Sequence, residues 1–94
     1  MTILFITHSD CLKHEMGRHH PECPERLDAI NDQLRASGVD AHLRFLEAPL
    51  ATPEQIARVH PMAYFEAIRD ASPEEGLVQI DPDTAMCPDS FNAA

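Results

Sequence analysis

Two prolines three residues apart constrain the fold of this chain more than any other feature of its sequence. Pro21 and Pro24 fix φ and remove backbone donors immediately ahead of a run with helical periodicity. Pro24 suits an early helical position, where a missing N–H costs little, and Glu22 and Glu25 lie where the helix dipole favours carboxylates. The block over residues 20–27 therefore predicts a rigid entry into a helix.

The run after this block has one apolar face. Leu27, Ile30 and Leu34 recur at helical spacing, and polar side chains occupy the other faces. Gly38 can adopt the left-handed conformation that ends a helix. We expect an amphipathic helix over about residues 24–36.

A strand is predicted on each side of this helix. Residues 3–6 form a continuous apolar run, typical of a strand buried on both faces of a parallel sheet, and residues 42–47 partly alternate. Residues 8–20 read as a polar loop, and loops of that length are usually functional or disordered. A right-handed crossover would make the two strands parallel. The fold class is therefore α/β, with an N-terminal βαβ unit of an open parallel sheet flanked by helices.

Local signals place the remaining elements. Thr52, Pro53 and Gln55 combine a cap, a proline at the first helical position and a capping-box glutamine, which predicts a short helix to about Val59. A second helical run follows Pro61 and ends near residue 71. Residues 77–80 read as extended and residues 81–84 as a turn. A final helix is expected to start after a cap at residue 89 or 90.

Composition limits the classes of function. Ninety-four residues predict a single domain over 1–94, and seven Lys and Arg against sixteen Asp and Glu give a net charge of −9, which disfavours nucleic acid and anionic membranes as partners. Cys11, Cys23 and Cys87 are odd in number and lack a CxxC motif, as expected of free thiols in the cytoplasm. The N-terminus has no basic region or long apolar run, so no signal peptide is predicted.

Several polar residues are open to a functional and a structural interpretation. The loop is rich in potential zinc or copper ligands, but their spacing matches no metal motif, and hydrogen bonding to the loop or exposure to solvent is the favoured interpretation. These residues are His8, Asp10, Cys11, His14, Glu15, His19, His20 and Cys23.

Four further residues have the same ambiguity. Arg26 on the first helical turn needs a carboxylate or ligand, which a salt bridge to Glu22 would supply. Asp81 and Asp83 can accept amides from a peptide-like ligand, but more often such residues close their own turn. Tyr64 is most simply a core residue with its hydroxyl at the edge. No complete catalytic motif is present.

Several blocks occur in an order that resembles one known family. They are Ile6-Thr7-His8-x-Asp10-Cys11-Leu12-x-His14-x-Met16-Gly17, His20-Pro21-Glu22-x-Pro24-Glu25-Arg26-Leu27, Ile56-Ala57-Arg58-Val59-His60-x3-Tyr64, Asp81-Pro82-Asp83-Thr84 and Ser90-x2-Ala93-Ala94. Together they resemble the N-terminal portion of the histone deacetylase-like amidohydrolases, which include acetylpolyamine amidohydrolases and bacterial class II-like deacetylases. The resemblance implies an arginase/deacetylase-like open sheet, truncated in this chain.

The resemblance also implies a chemistry and a place for four residues. In the family, zinc held by Asp, His and Asp polarises an acetyl carbonyl and activates water, tandem histidines handle protons, and all these groups follow the matching portion. No catalytic or metal-ligating residue and no cofactor is therefore expected in residues 1–94. By the resemblance, His20 and Pro21 belong to a loop at the rim of the substrate tunnel, Asp83 falls near a rim carboxylate, and Arg26 matches an arginine of an internal channel.

These considerations leave two principal hypotheses. The chain is the leading segment of a zinc deacetylase, inert alone, whose partner is the missing C-terminal part of the enzyme. Alternatively, it is an interaction module that self-associates through an exposed sheet edge, as a homo-oligomer. Metal sequestration by the His/Cys loop is a third, weaker idea.

Overall fold

The chain alternates short strands and helices. The computed structural model describes residues 2–94. The strands are β1 (Ile3–Thr7), β2 (Leu43–Glu47), β3 (Val78–Asp81) and β4 (Thr84–Met86), and the helices are α1 (Glu25–Ser37), α2 (Pro53–Ala57), α3 (Met62–Ala71) and α4 (Ser90–Ala93). Two 3₁₀ helices, Ser9–Lys13 and Val39–His42, flank α1 within the crossover from β1 to β2. The fold is mixed α/β, which confirms the predicted class.

Strands β1 and β2 form a parallel pair on either side of α1, as predicted. Ile3 lies opposite Leu43 and Thr7 opposite Glu47, and the rings of the central pair, Phe5 and Phe45, are 5.1 Å apart. The expectation that β1 is buried on both faces is wrong for this chain, since Ile3 is 54% exposed and Ile6 is 61% exposed. Within residues 2–94 only the central residue of β1, Phe5, is partly buried, so the strand is not covered on both faces.

Local sequence determines both ends of α1. Pro24 already has helical φ and ψ and directly precedes the first helical residue, Glu25. Gly38 has a φ of 78° and its N–H bonds to the carbonyl of Arg35, which closes the helix. The predicted entry and exit are therefore confirmed.

The helix pair α2–α3 also follows its capping signals. The Thr52 hydroxyl accepts the N–H of Gln55, and the Gln55 side chain accepts the N–H of Thr52, so the predicted capping box forms. Helix α3 begins directly after Pro61. The interpretation of Tyr64 as a core residue is wrong, because it is 53% exposed, whereas its neighbour Phe65 packs against Phe91.

An antiparallel hairpin, β3–β4, follows α3. Its turn is the predicted one, and the Asp81 carboxylate accepts the N–H of Asp83 at 2.8 Å. Strand β4 is an addition to the sequence prediction. It leads directly into the most buried part of the chain.

The buried residues of the described chain are few and lie close together in the sequence. Ala85, Met86, Cys87 and Ser90 are each at most 6% exposed. The radius of gyration is 15.6 Å, whereas a compact domain of this length has a radius of about 12 Å. The accessible surface is 7274 Å², whereas a compact monomer of this mass exposes about 5,400 Å². Much apolar surface is thus uncovered within residues 2–94.

Candidate functional site

Three residues that the resemblance assigns to an entry rim lie on two segments that meet. His20 and Pro21 end the first loop, and Asp83 is in the β3–β4 turn. The Nε2 atom of His20 lies 3.5 Å from Oδ1 of Asp83. We call His20, Pro21 and Asp83 the entry rim.

The two side chains of the rim contact differ in solvent exposure. The Asp83 side chain is 96% exposed and the His20 side chain is 23% exposed. The Nδ1 atom of His20 accepts the N–H of Glu22 at 3.0 Å. A neutral imidazole that accepts at Nδ1 carries its proton on Nε2, so its donor group faces Asp83. The carboxylate retains further acceptor capacity for a ligand N–H.

Local turns place Asp83 at this position. The Asp81 carboxylate bonds the Asp83 backbone, and Gln79 bonds the Asp81 carbonyl. On the other side His19 has a φ of 64°, a left-handed conformation that reverses the chain before His20. Asp81 closes its own turn, in accord with the simpler of its two interpretations, and this leaves Asp83 free to project outward.

Arg26 lies on the first turn of α1. Its guanidinium pairs with the carboxylate of Glu22 at 2.9 Å, with both side chains about half exposed, so the pair stabilises the fold only slightly. Arg26 also lines a small cleft, of about 230 Å³, together with His14 and Ser90. The predicted salt bridge is present, and the channel role stays a prediction.

The most enclosed polar cluster was not predicted from the sequence. It consists of His14 in the first loop and Cys87 and Ser90 in the turn before α4. The Nδ1 atom of His14 lies 2.6 Å from Ser90 Oγ, which also accepts the N–H of Cys87 at 2.9 Å. The Ser90 hydroxyl donates to Cys87 Sγ at 3.3 Å. We call these three residues the buried cluster.

The buried cluster ties the first loop to the C-terminal part of the chain. The Cys87 thiol donates to the carbonyl of Lys13 at 3.2 Å and accepts the N–H of Glu15 at 3.3 Å. Burial raises the pKa of Cys87, but bonds from the Ser90 hydroxyl and from the backbone of Glu15 and Asp89 outweigh it, so the pKa of this thiol lies below its ordinary value.

The potential metal ligands of the first loop do not converge. The Nδ1 atom of His8 accepts the N–H of Asp10, and Nε2 lies 3.1 Å from the carboxylate of Glu47 at the end of β2. Throughout residues 2–94, no three His, Cys, Asp or Glu side chains are grouped so that they could hold a metal ion. The donor set described by the structure therefore does not fit a catalytic zinc ion.

Comparison with known proteins decides the family. The family model of the histone deacetylase domain matches residues 20–94, which is most of the chain. The chain belongs to the histone deacetylase family. The match begins at His20 and includes Pro21, Arg26 and Asp83.

One named relative agrees with this histone deacetylase assignment. The chain is 33% identical over 75 residues to a histone deacetylase-like amidohydrolase of Pseudomonas aeruginosa, covering 80% of this chain and 20% of that protein. It is 32% identical over 95 residues to an uncharacterized protein of Synechocystis sp., covering 98% of this chain and 31% of that protein. This histone deacetylase-family chain thus spans between a fifth and a third of the length of these curated relatives.

A solved structure shares the fold. The HDA15 HD domain superposes with a TM-score of 0.78 at 24% identity, over 96% of this chain and 27% of that one. At this identity the likeness concerns the fold alone.

In the part of the chain that the structure describes, no helix is long and apolar enough to cross a bilayer.

Proposed function

We propose that this chain forms the N-terminal portion of a zinc-dependent amidohydrolase of the histone deacetylase family and contributes part of its substrate entrance. The observation that carries the proposal is the family match over residues 20–94. The reacting groups would lie outside the described residues, since the side chains present do not fit zinc. The chain alone would then be inactive in amide hydrolysis.

The entry rim would bind the substrate through the polar amide groups of the substrate. Asp83 offers an exposed carboxylate, which accepts hydrogen bonds from amide N–H groups near an acetylated amine. His20 lies near one carboxylate oxygen, and the exposure of Asp83 leaves the carboxylate accessible to a ligand. Such a contact orients the acetyl group and takes no part in the bond cleavage itself.

The partner of the chain would be the remaining polypeptide of the family domain. The apolar side chains of β1 and β2 are exposed, and a cleft of about 540 Å³ between α2, α3 and α4 has an apolar wall that includes Ile56, Phe65 and Phe91. Covering such surfaces is strongly favourable, at about 25 cal/mol per Å². A net charge of −9 supports a protein partner over nucleic acid or an anionic membrane. The three free thiols support a cytoplasmic location.

Acetate release tests this proposal. The purified chain is incubated with equimolar zinc and a substrate, which is an acetyl-lysine peptide in one sample and an acetylated polyamine in the other. We expect no acetate release beyond that of zinc alone. A zinc-dependent rate that a chelator abolishes, and that Asp83→Asn reduces, would contradict the proposal that the chain alone is inactive.

Self-association is a second candidate function, and the exposed strands favour it. Strands β1 and β2 each have a free edge within the described sheet, and both carry exposed large side chains such as Ile6 and Phe45. Free edges accept strands from another copy. Light scattering over a wide concentration range would show a rising mass that Ile6→Lys suppresses and that Val59→Lys, in the exposed turn between α2 and α3, does not. A constant monomer mass would exclude this function.

A further inference from the structure

The contact between His20 and Asp83 in the entry rim is long for a hydrogen bond. Its N–O distance is 3.5 Å, whereas N–H···O bonds in proteins span about 2.7–3.2 Å. The Asp83 side chain is almost fully exposed, so it is free to take more than one orientation. The contact can therefore tighten through a change in the two side chains alone.

The other nitrogen of the His20 ring is already in use. Nδ1 accepts the N–H of Glu22 at 3.0 Å. Only a neutral imidazole has an acceptor nitrogen, because both nitrogens of the imidazolium ion are donors. The structure thus shows the arrangement of a neutral His20. Protonation ends the bond from Glu22 and frees that side of the ring.

Protonation also strengthens the donor that faces Asp83. A hydrogen bond from a charged nitrogen to a carboxylate is shorter, at about 2.7–2.9 Å, and roughly twice as strong as one between neutral groups. In the described part of the chain, Asp83 is the carboxylate that pairs with the His20 ring. A protonated His20 therefore draws in this carboxylate and compensates its charge.

The His20 ring can exchange protons with solvent. Its side chain is 23% exposed, and it lines an open cleft of about 540 Å³. Histidine side chains in general change charge between about pH 5 and pH 8. The other charged or titratable groups on the walls of this cleft are Glu15, Arg18, His19, Cys23, Glu25 and Cys87. His19 is the other imidazole among them, so it is the natural control for any effect of pH.

We propose that His20 is a positioning residue that makes substrate binding at the entry rim depend on pH. Neutral His20 leaves the Asp83 carboxylate to the substrate, and protonated His20 takes the carboxylate for itself. This inference rests on the proposed function, in which Asp83 accepts amide N–H groups of the substrate. Acidification weakens substrate binding through this contact and leaves the chemical step unchanged.

NMR spectroscopy of the chain alone tests the contact. The side-chain carboxylate carbon of Asp83 is followed from about pH 8 to about pH 5, the range of histidine titration. We expect a step in its chemical shift that disappears in His20→Gln, which keeps a donor near the position of Nε2 but does not titrate. The step should persist in His19→Asn, since asparagine tolerates the left-handed conformation of residue 19. Absence of the step, or a step that remains in His20→Gln, would overturn the proposal.

The kinetics of a hybrid enzyme test the consequence for binding. The hybrid has this chain in place of the aligned segment of the Pseudomonas aeruginosa amidohydrolase, and it is compared with the same hybrid carrying His20→Gln. As the pH falls, KM for an acetyl-lysine peptide should rise about fivefold relative to the His20→Gln hybrid, as expected for the loss of one typical hydrogen bond. The ratio of the two kcat values should stay constant.

The two experiments separate this inference from the proposed function. A purely structural role of His20 would not make the ratio of KM values depend on pH, so a constant ratio between two active hybrids would overturn the inference. An inactive hybrid would contradict the proposed function. The NMR step needs no activity and would still decide whether His20 controls the Asp83 carboxylate.

Discussion

His14 Nδ1 lies 2.6 Å from Ser90 Oγ and joins two segments that are 76 residues apart in the sequence. Ser90 is one of the four most buried residues of the described chain, and Cys87, another of them, bonds to its hydroxyl. The contact thus stabilises the fold at the point where the first loop, the β3–β4 hairpin and α4 converge.

Loss of the His14 side chain should weaken the whole fold. We expect His14→Ala to lower the free energy of unfolding by about 1 kcal/mol, the net contribution of a typical intramolecular hydrogen bond. His42→Ala, at an exposed position, is the matched control and should change it little. Urea denaturation measures both. Equal stabilities of the two variants would contradict the importance of the buried cluster.

Removal of the capping box should act locally on α2. The variant Thr52→Ala leaves the N–H of Gln55 without its acceptor, and such a substitution costs about 0.5–2 kcal/mol. Hydrogen exchange of residues 54–57 should rise more than that of α1. Thr2→Ala, at an exposed residue ahead of β1, serves as the control. Unchanged protection of α2 would show that the cap is dispensable.

The Arg26–Glu22 pair should contribute little to stability. Both side chains are about half exposed, and exposed ion pairs contribute roughly 0–1 kcal/mol. We therefore expect Arg26→Gln to unfold at nearly the same urea concentration as the unaltered chain, at low and at high salt. A large loss of stability would indicate that Arg26 has a buried partner instead.

The stability of the chain should depend on pH through Cys87. Because the pKa of this thiol is lower in the folded chain than in the unfolded one, its contribution is present above the unfolded value, about 8.5, and is lost as pH falls through the folded value. The difference in unfolding free energy between the unaltered chain and Cys87→Ser should therefore grow as pH rises from the folded pKa toward the unfolded pKa. The charged or titratable groups around the thiol, Lys13, His14, Glu15 and Asp89, are the same in both. A difference independent of pH would contradict the lowered pKa.

Local sequence signals predicted the helices and strands, but they could not predict contacts between distant segments. Pro24, Gly38 and Thr52 act on their own neighbours, so the limits of α1 and the start of α2 could be read from the sequence. The bond between His14 and Ser90 has no local pattern, since each residue type occurs in many loops. The sequence pattern indicated which faces are apolar, but not what covers them, and for this reason the expected burial of β1 and Tyr64 was wrong.

The candidate site was anticipated residue by residue and not as an arrangement. His20, Pro21, Arg26 and Asp83 were singled out through the family resemblance, while the approach of His20 to Asp83 depends on the β3–β4 turn. Strand β4, which sets the position of that turn, has only three residues and gave no periodic signal.

A hybrid enzyme tests the central claim most directly. In the amidohydrolase of Pseudomonas aeruginosa, the segment aligned with this chain is replaced by the matching residues of this chain, and amidohydrolase activity, zinc content and thermal unfolding are measured. We expect a folded, zinc-loaded hybrid that retains activity and whose KM rises when Asp83→Asn is introduced. A hybrid that unfolds as cooperatively as the parent, binds zinc fully and yet lacks activity would contradict the claim that this chain supplies the N-terminal part of such an enzyme.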